Sequence, residues 1–325
     1  MYEYILKRLL LAVPTLIGVT LLVSAIIRLL PGDVILAMMA ESGNLSVGGA
    51  IDAQAMAQFR AQLGLDKPFH VWYVTWLWNA VHGDFGESLY TGQPVWSEIQ
   101  RRWPVSFELA VMAMLMSVVV AIPVGVVSAI RQDRWIDYIL RFFAILGLAM
   151  PGFWVATMLL VFVSIYLEWA PALGYITFTA HPLGNLKQFV MPAGALGIAL
   201  AASTARMTRS TMLEVLRQDY IRTAWAKGLR ERLVVCRHAL KNAMIPVITI
   251  LGIQFGFTLG GTVIMETVFS LPGMGKSMLD AILQRDYPQL QGNVLVIATA
   301  FVLVNLLIDI TYAWFDPRIH YMKDT

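Results

Sequence analysis

Six apolar runs constrain this chain more than any other feature. They cover about 8–29, 106–130, 139–167, 189–209, 243–268 and 292–314, and each meets the roughly 20 residues that an α-helix needs to cross a bilayer. Lipid offers no hydrogen bonds, so a spanning segment must satisfy its own N–H and C=O groups, as a helix does. The expected fold class is therefore all-α, a polytopic membrane protein with about six transmembrane helices. Composition agrees: the 325 residues are 58% hydrophobic and 14% charged, against about 25% charged in a soluble domain. The third run contains Pro151-Gly152, which predicts a kink.

Several function classes fall away. The formal charge is only +3, and no basic stripe with interleaved aromatics suggests a nucleic-acid surface. Cys236 is the only cysteine, and the five histidines (His70, His82, His181, His238, His320) lack metal-ligand spacing. Lys7 and Arg8 precede an apolar run from Leu9 to Ile27 with no small-residue cleavage site after it, so an uncleaved first span is expected.

Charge sets the expected orientation. With both termini inside, the cytoplasmic segments hold 16 of the 24 basic residues, as short loops rich in Lys and Arg stay inside. Arg28, at the outer end of the first run, can snorkel to the interface. The external segment from Pro31 to Trp103 is too long for a turn. Asp52 suits the N-cap of a helix through Gln62 that Gly64 stops, and Pro104 suits the first turn of the next helix. Trp72, Tyr73, Trp76 and Trp78 form either an interfacial aromatic belt or a face for an external partner.

Chemistry-bearing motifs are few. Ser270–Ser277 reads SLPGMGKS and matches only the second half of the phosphate loop G-x-x-x-x-G-K-[ST]. The segment follows a span on the outside, where a tight turn at Pro272-Gly273 is expected instead. Intramembrane ionisable groups are functional candidates by default. Glu266 is either an interfacial residue with a neighbouring partner or part of the outer mouth of a path, and Asp309 suits a structural contact near the inner surface. Gln254 and Asn305 suit interhelical bonding or substrate contact equally.

The most distinctive stretch is the charged island from Asp219 to Pro246, DYIRTAWAKGLRERLVVCRHALKNAMIP. Nine basic residues lie between Arg206 and Lys241, opposed by Glu214, Asp219 and Glu231. Glu214–Leu229 has helical composition, with Tyr220, Ala224 and Lys227-Gly228 close to one face. Gly228 can end a helix in the left-handed conformation, and a second helical stretch, Glu231–Asn242, runs into the next span. On composition alone this is a basic helix on anionic lipid heads.

The order of residues says more. Asp219-Tyr220, Ala224-Trp225-Ala226-Lys227-Gly228-Leu229, His238-Ala239, Asn242-Ala243 and Pro246 resemble the cytoplasmic EAA loop of ABC importer permeases, in the version of the peptide/nickel family. The general EAA pattern is met less well, since its glutamate and first alanine fall on Arg222 and Thr223. Further stretches follow that family in order: Pro14-Thr15 with Gly18, Leu30-Pro31-Gly32-Asp33, Leu63-Gly64-Leu65-Asp66-Lys67-Pro68, Gly83-Asp84-Phe85-Gly86, Arg206-Met207-Thr208-Arg209, Arg285-Asp286-Tyr287-Pro288 and Asp316-Pro317-Arg318.

The resemblance implies a type I ABC importer permease of the bacterial inner (plasma) membrane, similar to the first membrane subunit of peptide importers. It implies an N-terminal helix over 1–30, an external segment over 31–103, a permease core over 104–315 with its coupling loop at 211–242, and a cytoplasmic tail over 316–325. The chain would be no enzyme and hold no cofactor; ATP and magnesium would be bound by two cytoplasmic ATPase subunits. A second homologous permease subunit, an external substrate-binding protein and membrane lipid would be its other partners. The loop at 219–232 would seat a short helix in the ATPase, through Asp219, Tyr220, Arg222, Thr223, Ala224, Ala226, Lys227 and Gly228. Gln254 and Glu266 are candidates for lining the path. The implied cargo is short peptides, with nickel, glutathione or opines as alternatives. A secondary transporter would need central ionisable residues or half-helix repeats, and neither stands out.

Overall fold

The computed structural model describes residues 2–29 and 66–315. The expected Asp52–Gln62 helix, the motifs at 30–33 and 63–65, and the tail from 316 lie outside them. The described chain is helical: α1 (Tyr2–Leu29), α2 (Phe69–Val81), α3 (Val95–Ile130), α4 (Trp135–Ala149), α5 (Gly152–Tyr166), α6 (Pro182–Leu216), α7 (Asp219–Ala226), α8 (Glu231–Gly261), α9 (Val263–Val268), α10 (Met274–Leu283) and α11 (Tyr287–Phe315). Five of these helices are long and apolar enough to cross a membrane, and there are six spans if α4 and α5 count as one. Two compact units emerge among the described residues, one built on 104–276 and 300–315, the other on 3–29, 66–103 and 277–299.

In the first unit α6 is the central helix, packed by α4, α5 and α8. Its buried face is mostly small: Ala193, Ala195, Gly197, Ala201, Ala202, Thr204, Ala205 and Thr208. Small side chains let helix backbones approach where no hydrophobic drive exists between helices in lipid. A Cβ on Gly125 of α3 would stand 2.5 Å from the Thr208 Cβ and 2.7 Å from the Ala205 carbonyl oxygen. One on Gly197 would stand 3.0 Å from the Ala113 carbonyl. The α8–α11 seam follows the same rule, with Gly252 against Ile308 and Gly256 against Phe301.

The third apolar run is more than kinked. Met150 and Pro151 are extended, the conformation a proline imposes on itself and its predecessor, and α4 and α5 meet at 102°. The pair still follows α6 along its length. Asp137 at the start of α4 meets Arg209, Gly147 lies against Ala202 and Ile198, and Ala156 and Val163 of α5 share a core with Phe189. Successive residues of α4 and α5 thus meet successively earlier residues of α6, as in one broken, antiparallel span.

Other boundaries also move. Pro104 is not in a first turn; α3 begins at Val95, because Val95 and Ile99 already bury a face and Glu98 pairs with Arg102 at 3.1 Å. The run 243–268 divides into α8 and α9 at Thr262.

The turn at 270–273 has a buried organiser. Glu266 on α9 accepts bonds from the hydroxyls of Ser106 (2.6 Å) and Thr262 (2.6 Å) and from the Lys276 N–H (2.7 Å). The Ser106 hydroxyl in turn accepts from the Met274 N–H at 2.7 Å. A carboxylate thus sits at the start of α10, where helix N–H groups attract anions. Ser270 has φ +52°, and any Cβ on Gly273 would strike the Glu266 carboxylate.

In the second unit, Ile27, Ala281, Tyr287 and Leu290 form the core. The Tyr73 ring turns inward, its hydroxyl 2.8 Å from Thr20 Oγ1, while Trp78 is exposed and packs at a tilt against His82. Asp286 caps α11 by accepting from the Gln289 N–H and also takes bonds from Ser88 Oγ and the Leu89 N–H. Two motifs far apart in sequence, Gly83–Gly86 and Arg285–Pro288, meet here: a Cβ on Gly86 would contact Pro288 at 3.8 Å.

Candidate functional site: the loop between α6 and α8

The stretch 214–229 is not one helix. α6 runs on to Leu216; Gln218 is then extended (ψ 149°), and a separate helix, α7, starts at Asp219. The acidic Asp219 in its first turn suits the positive end of the helix dipole. At the other end Lys227 caps the helix and Gly228 takes φ +74°. The Gly228 N–H bonds the Trp225 carbonyl (2.9 Å) and the Leu229 N–H the Ala224 carbonyl (3.4 Å), the paired closure of a Schellman ending. Leu229 packs on the cluster that includes Ala224. Nothing lies within 4 Å of a Cβ placed on Gly228, so its glycine serves conformation and not space.

The eight-residue α7 has two faces. Ile221 and Ala224 are buried in a core shared with Met212 of α6, Ala129 of α3 and Val234, Val235, Ala239 and Ala243 of α8. Outside lie Asp219, Tyr220, Arg222, Thr223, Ala226, Lys227 and Gly228. Seven of the eight residues expected at a docking surface are therefore exposed, while Ala224 is turned inward and seats the helix on its own chain. The Asp219–Arg222 pair (3.4 Å) is between side chains 95% and 71% exposed, a setting in which ion pairs add little.

Trp225 was passed over in the sequence. It is 44% exposed beside Tyr220 at 43%, outside any span. Large aromatics at a polar surface are what protein interfaces use as anchors. Its position between two alanines of the Ala-x-Ala core was the available signal.

Two devices join α7 to the spans. Asn242 Nδ2 donates to the Tyr220 hydroxyl at 2.7 Å. Val234–Ala239 at the head of α8 is π-helical, a rare winding that concentrates at functional sites.

Sequence reasoning also missed an ion pair between the half-buried Arg209 and the buried Asp137. Arg209 of α6 donates through Nε (2.9 Å) and Nη2 (2.7 Å) to the two carboxylate oxygens of Asp137. Ser128 Oγ and the Asp133 N–H complete the carboxylate's bonds. The partners are 72 residues apart, so no local spacing announces them. Glu108, also overlooked, accepts from the Tyr175 hydroxyl at 3.0 Å.

Of the path candidates, Gln254 is half-buried and accepts from Thr204 Oγ1 at 3.1 Å, joining α8 to α6. Glu266 is fully buried with both oxygens engaged in the turn described above. Among the described residues no three His, Cys, Asp or Glu are placed to hold a metal ion.

The family models decide the class. Residues 121–321 match the binding-protein-dependent transport system inner membrane component, and residues 1–110 match the N-terminal component of the same systems. The chain belongs to this permease family. It is 41% identical over 346 aligned positions to the dipeptide transport system permease protein DppB of Escherichia coli K12, covering 99% of this chain and 100% of that one. A putative peptide transport system permease protein of Brucella suis biovar 1 is 40% identical, with the same coverage. The fold is that of a solved importer, the inward-facing MetNI methionine ABC transporter, with TM-score 0.55 at 15% identity, covering 67% of this chain and 96% of that one. The permease is thus an inner-membrane, multi-pass protein of a binding-protein-dependent ABC importer.

Proposed function

We propose that this permease forms half of the translocation path of an ATP-driven importer of short peptides, with di- or oligopeptides as cargo. The full-length similarity to dipeptide permeases supports the cargo. A second, homologous permease subunit supplies the other half, an external binding protein delivers the peptide, and both termini lie in the cytoplasm. Two ATPase subunits bind ATP and magnesium, and α7 docks on one of them through Tyr220, Trp225, Ala226, Lys227 and Gly228, with Asp219, Arg222 and Thr223 at the rim.

One observation carries the coupling role: the buried face of α7 shares a single core with α3, α6 and α8. A displacement of α7 must therefore move three spans or break close packing. Alternating access then follows as a switch between two packings, biased by ATP only through its differential affinity for them. The half-buried Gln254 and the outer-end Glu266 remain the candidates along the path.

Gentle isolation of the full-length chain from native membranes, with mass identification of what accompanies it, tests this reading. A second permease, ATPase chains and a binding protein loaded with peptide are expected. Absence of any ATPase overturns the class assignment of α7, and a binding protein loaded with nickel overturns the cargo.

A further inference from the structure

A cleft of about 360 Å³ opens between α3, α4 and α6, beside the Asp137–Arg209 pair. Arg209 is committed to Asp137. Arg206 and Arg141 also line the cleft. Arg206 is exposed and has no carboxylate partner among the described residues; Arg141 lies over the Tyr138 ring at 5.9 Å and has none either. The lining holds no Asp or Glu; Asp137 beside it is paired with Arg209, and Glu214 lines the adjoining depression that shares Arg209 and Ser210. The cleft is therefore net cationic. Its rim carries the Ser210 hydroxyl and its other wall is apolar, Leu140 and Ile145.

Position adds a second constraint. Arg206 and Arg209 stand where the apolar run of α6 ends, and Phe142, Phe143 and Ile145 on α4 are each about 60% exposed. The cationic end is thus at the level of the lipid headgroups and the apolar wall is continuous with a face built for acyl chains.

We propose that this cleft binds an anionic phospholipid. The headgroup phosphate sits between the Arg206 and Arg141 guanidiniums, whose planar donor forks suit phosphate oxygens, with Ser210 as a further donor. One acyl chain lies along Leu140 and Ile145. The apolar wall selects a lipid, since a free phosphate has no use for it. The site is independent of the peptide reading, because it is assayed without transport.

The test is native mass spectrometry of the full-length chain, stripped of lipid in detergent and titrated with phosphatidylglycerol, with phosphatidylcholine of the same chain length, or with glycerol 3-phosphate. Both lipids offer a phosphodiester, but the choline ammonium of phosphatidylcholine is repelled by the guanidiniums, so the wild type should retain one phosphatidylglycerol at about 10-fold lower concentration than phosphatidylcholine. Arg206→Gln should bring the two lipids near parity, and Arg206→Lys should keep most of the preference. Because Arg206 has no partner to lose, this variant leaves the fold intact, and Arg141→Gln is an independent second reading. Equal retention of both lipids by the wild type overturns the proposal. So does an undiminished preference in both glutamine variants, or displacement of phosphatidylglycerol by glycerol 3-phosphate at matched concentration.

Discussion

Asn242 on α8 reaches the hydroxyl of Tyr220 on α7 at 2.7 Å across 22 residues of sequence. The bond ties the exposed side of the short helix to the helix that continues into the membrane, while Ile221 and Ala224 tie its buried side. Tyr220→Phe and Asn242→Ala should each cost about 1 kcal/mol of local stability. Each should lower peptide uptake per ATP hydrolysed several-fold. The double variant should be no worse than the poorer single one, because both remove the same bond. Additive losses in reconstituted vesicles would show that the bond is not the shared element.

Gly228 is needed for its φ of +74° and not for space. An L-residue there costs about 1–2 kcal/mol. Gly228→Asn, which tolerates the conformation, should retain most uptake, Gly228→Ala less, and Gly228→Glu, which adds a long charged side chain to the proposed docking face, none, with membrane insertion unchanged in all three. Normal uptake by Gly228→Glu would remove the coupling role from this loop.

Trp225 separates docking from stability. Its side chain is half in solvent and Trp225→Ala should leave thermal unfolding of the isolated chain nearly unchanged. Co-purification of the ATPase should fall about 10-fold or more, as for an interface anchor worth ~2 kcal/mol. Undiminished co-purification would place the contact on other residues.

The Asp137–Arg209 pair is a structural lock with both carboxylate oxygens bonded. Removing one partner leaves a buried charge, so Arg209→Met should cost about 3–5 kcal/mol. The neutral pair Asp137→Leu with Arg209→Met should recover much of it. Thermal unfolding in detergent reads both, and a double variant as unstable as the single would deny that the stranded charge is the cause.

Glu266→Gln keeps shape but turns an amide toward groups that already donate, Ser106, Thr262 and the Lys276 N–H. Frustrating those bonds should cost about 1–3 kcal/mol. If Glu266 also lines the path, the concentration of peptide giving half-maximal uptake will rise in the folded fraction. An unchanged value alongside lower stability would confine it to the turn.

Spans, loop order and the glycine stop at 228 were legible because each is a local property: a run of apolar residues, a sign of charge, a residue with one conformational advantage. The expected kink at Pro151-Gly152 was legible for the same reason, but not its 102°, since the angle depends on what α4 and α5 meet on α6. The start of α3 was misplaced because Pro104 is a local signal, whereas the burial of Val95 and Ile99 that extends the helix backwards is tertiary. Ala224 looked like part of an exposed face by spacing, yet its neighbours in space, Met212 and Val235, lie on two other helices.

By itself the sequence determined that this chain lives in a membrane as a bundle of helices and carries an ordered charged loop, because continuous apolar runs of about 20 residues satisfy their own backbone in lipid as helices. Only the tertiary structure decided which carboxylates are buried and paired, which face of α7 is free, and where cationic side chains are left without partners. Those outcomes rest on contacts between residues up to 160 or more positions apart, as Ser106 with Glu266, where neither member carries any local mark of the other.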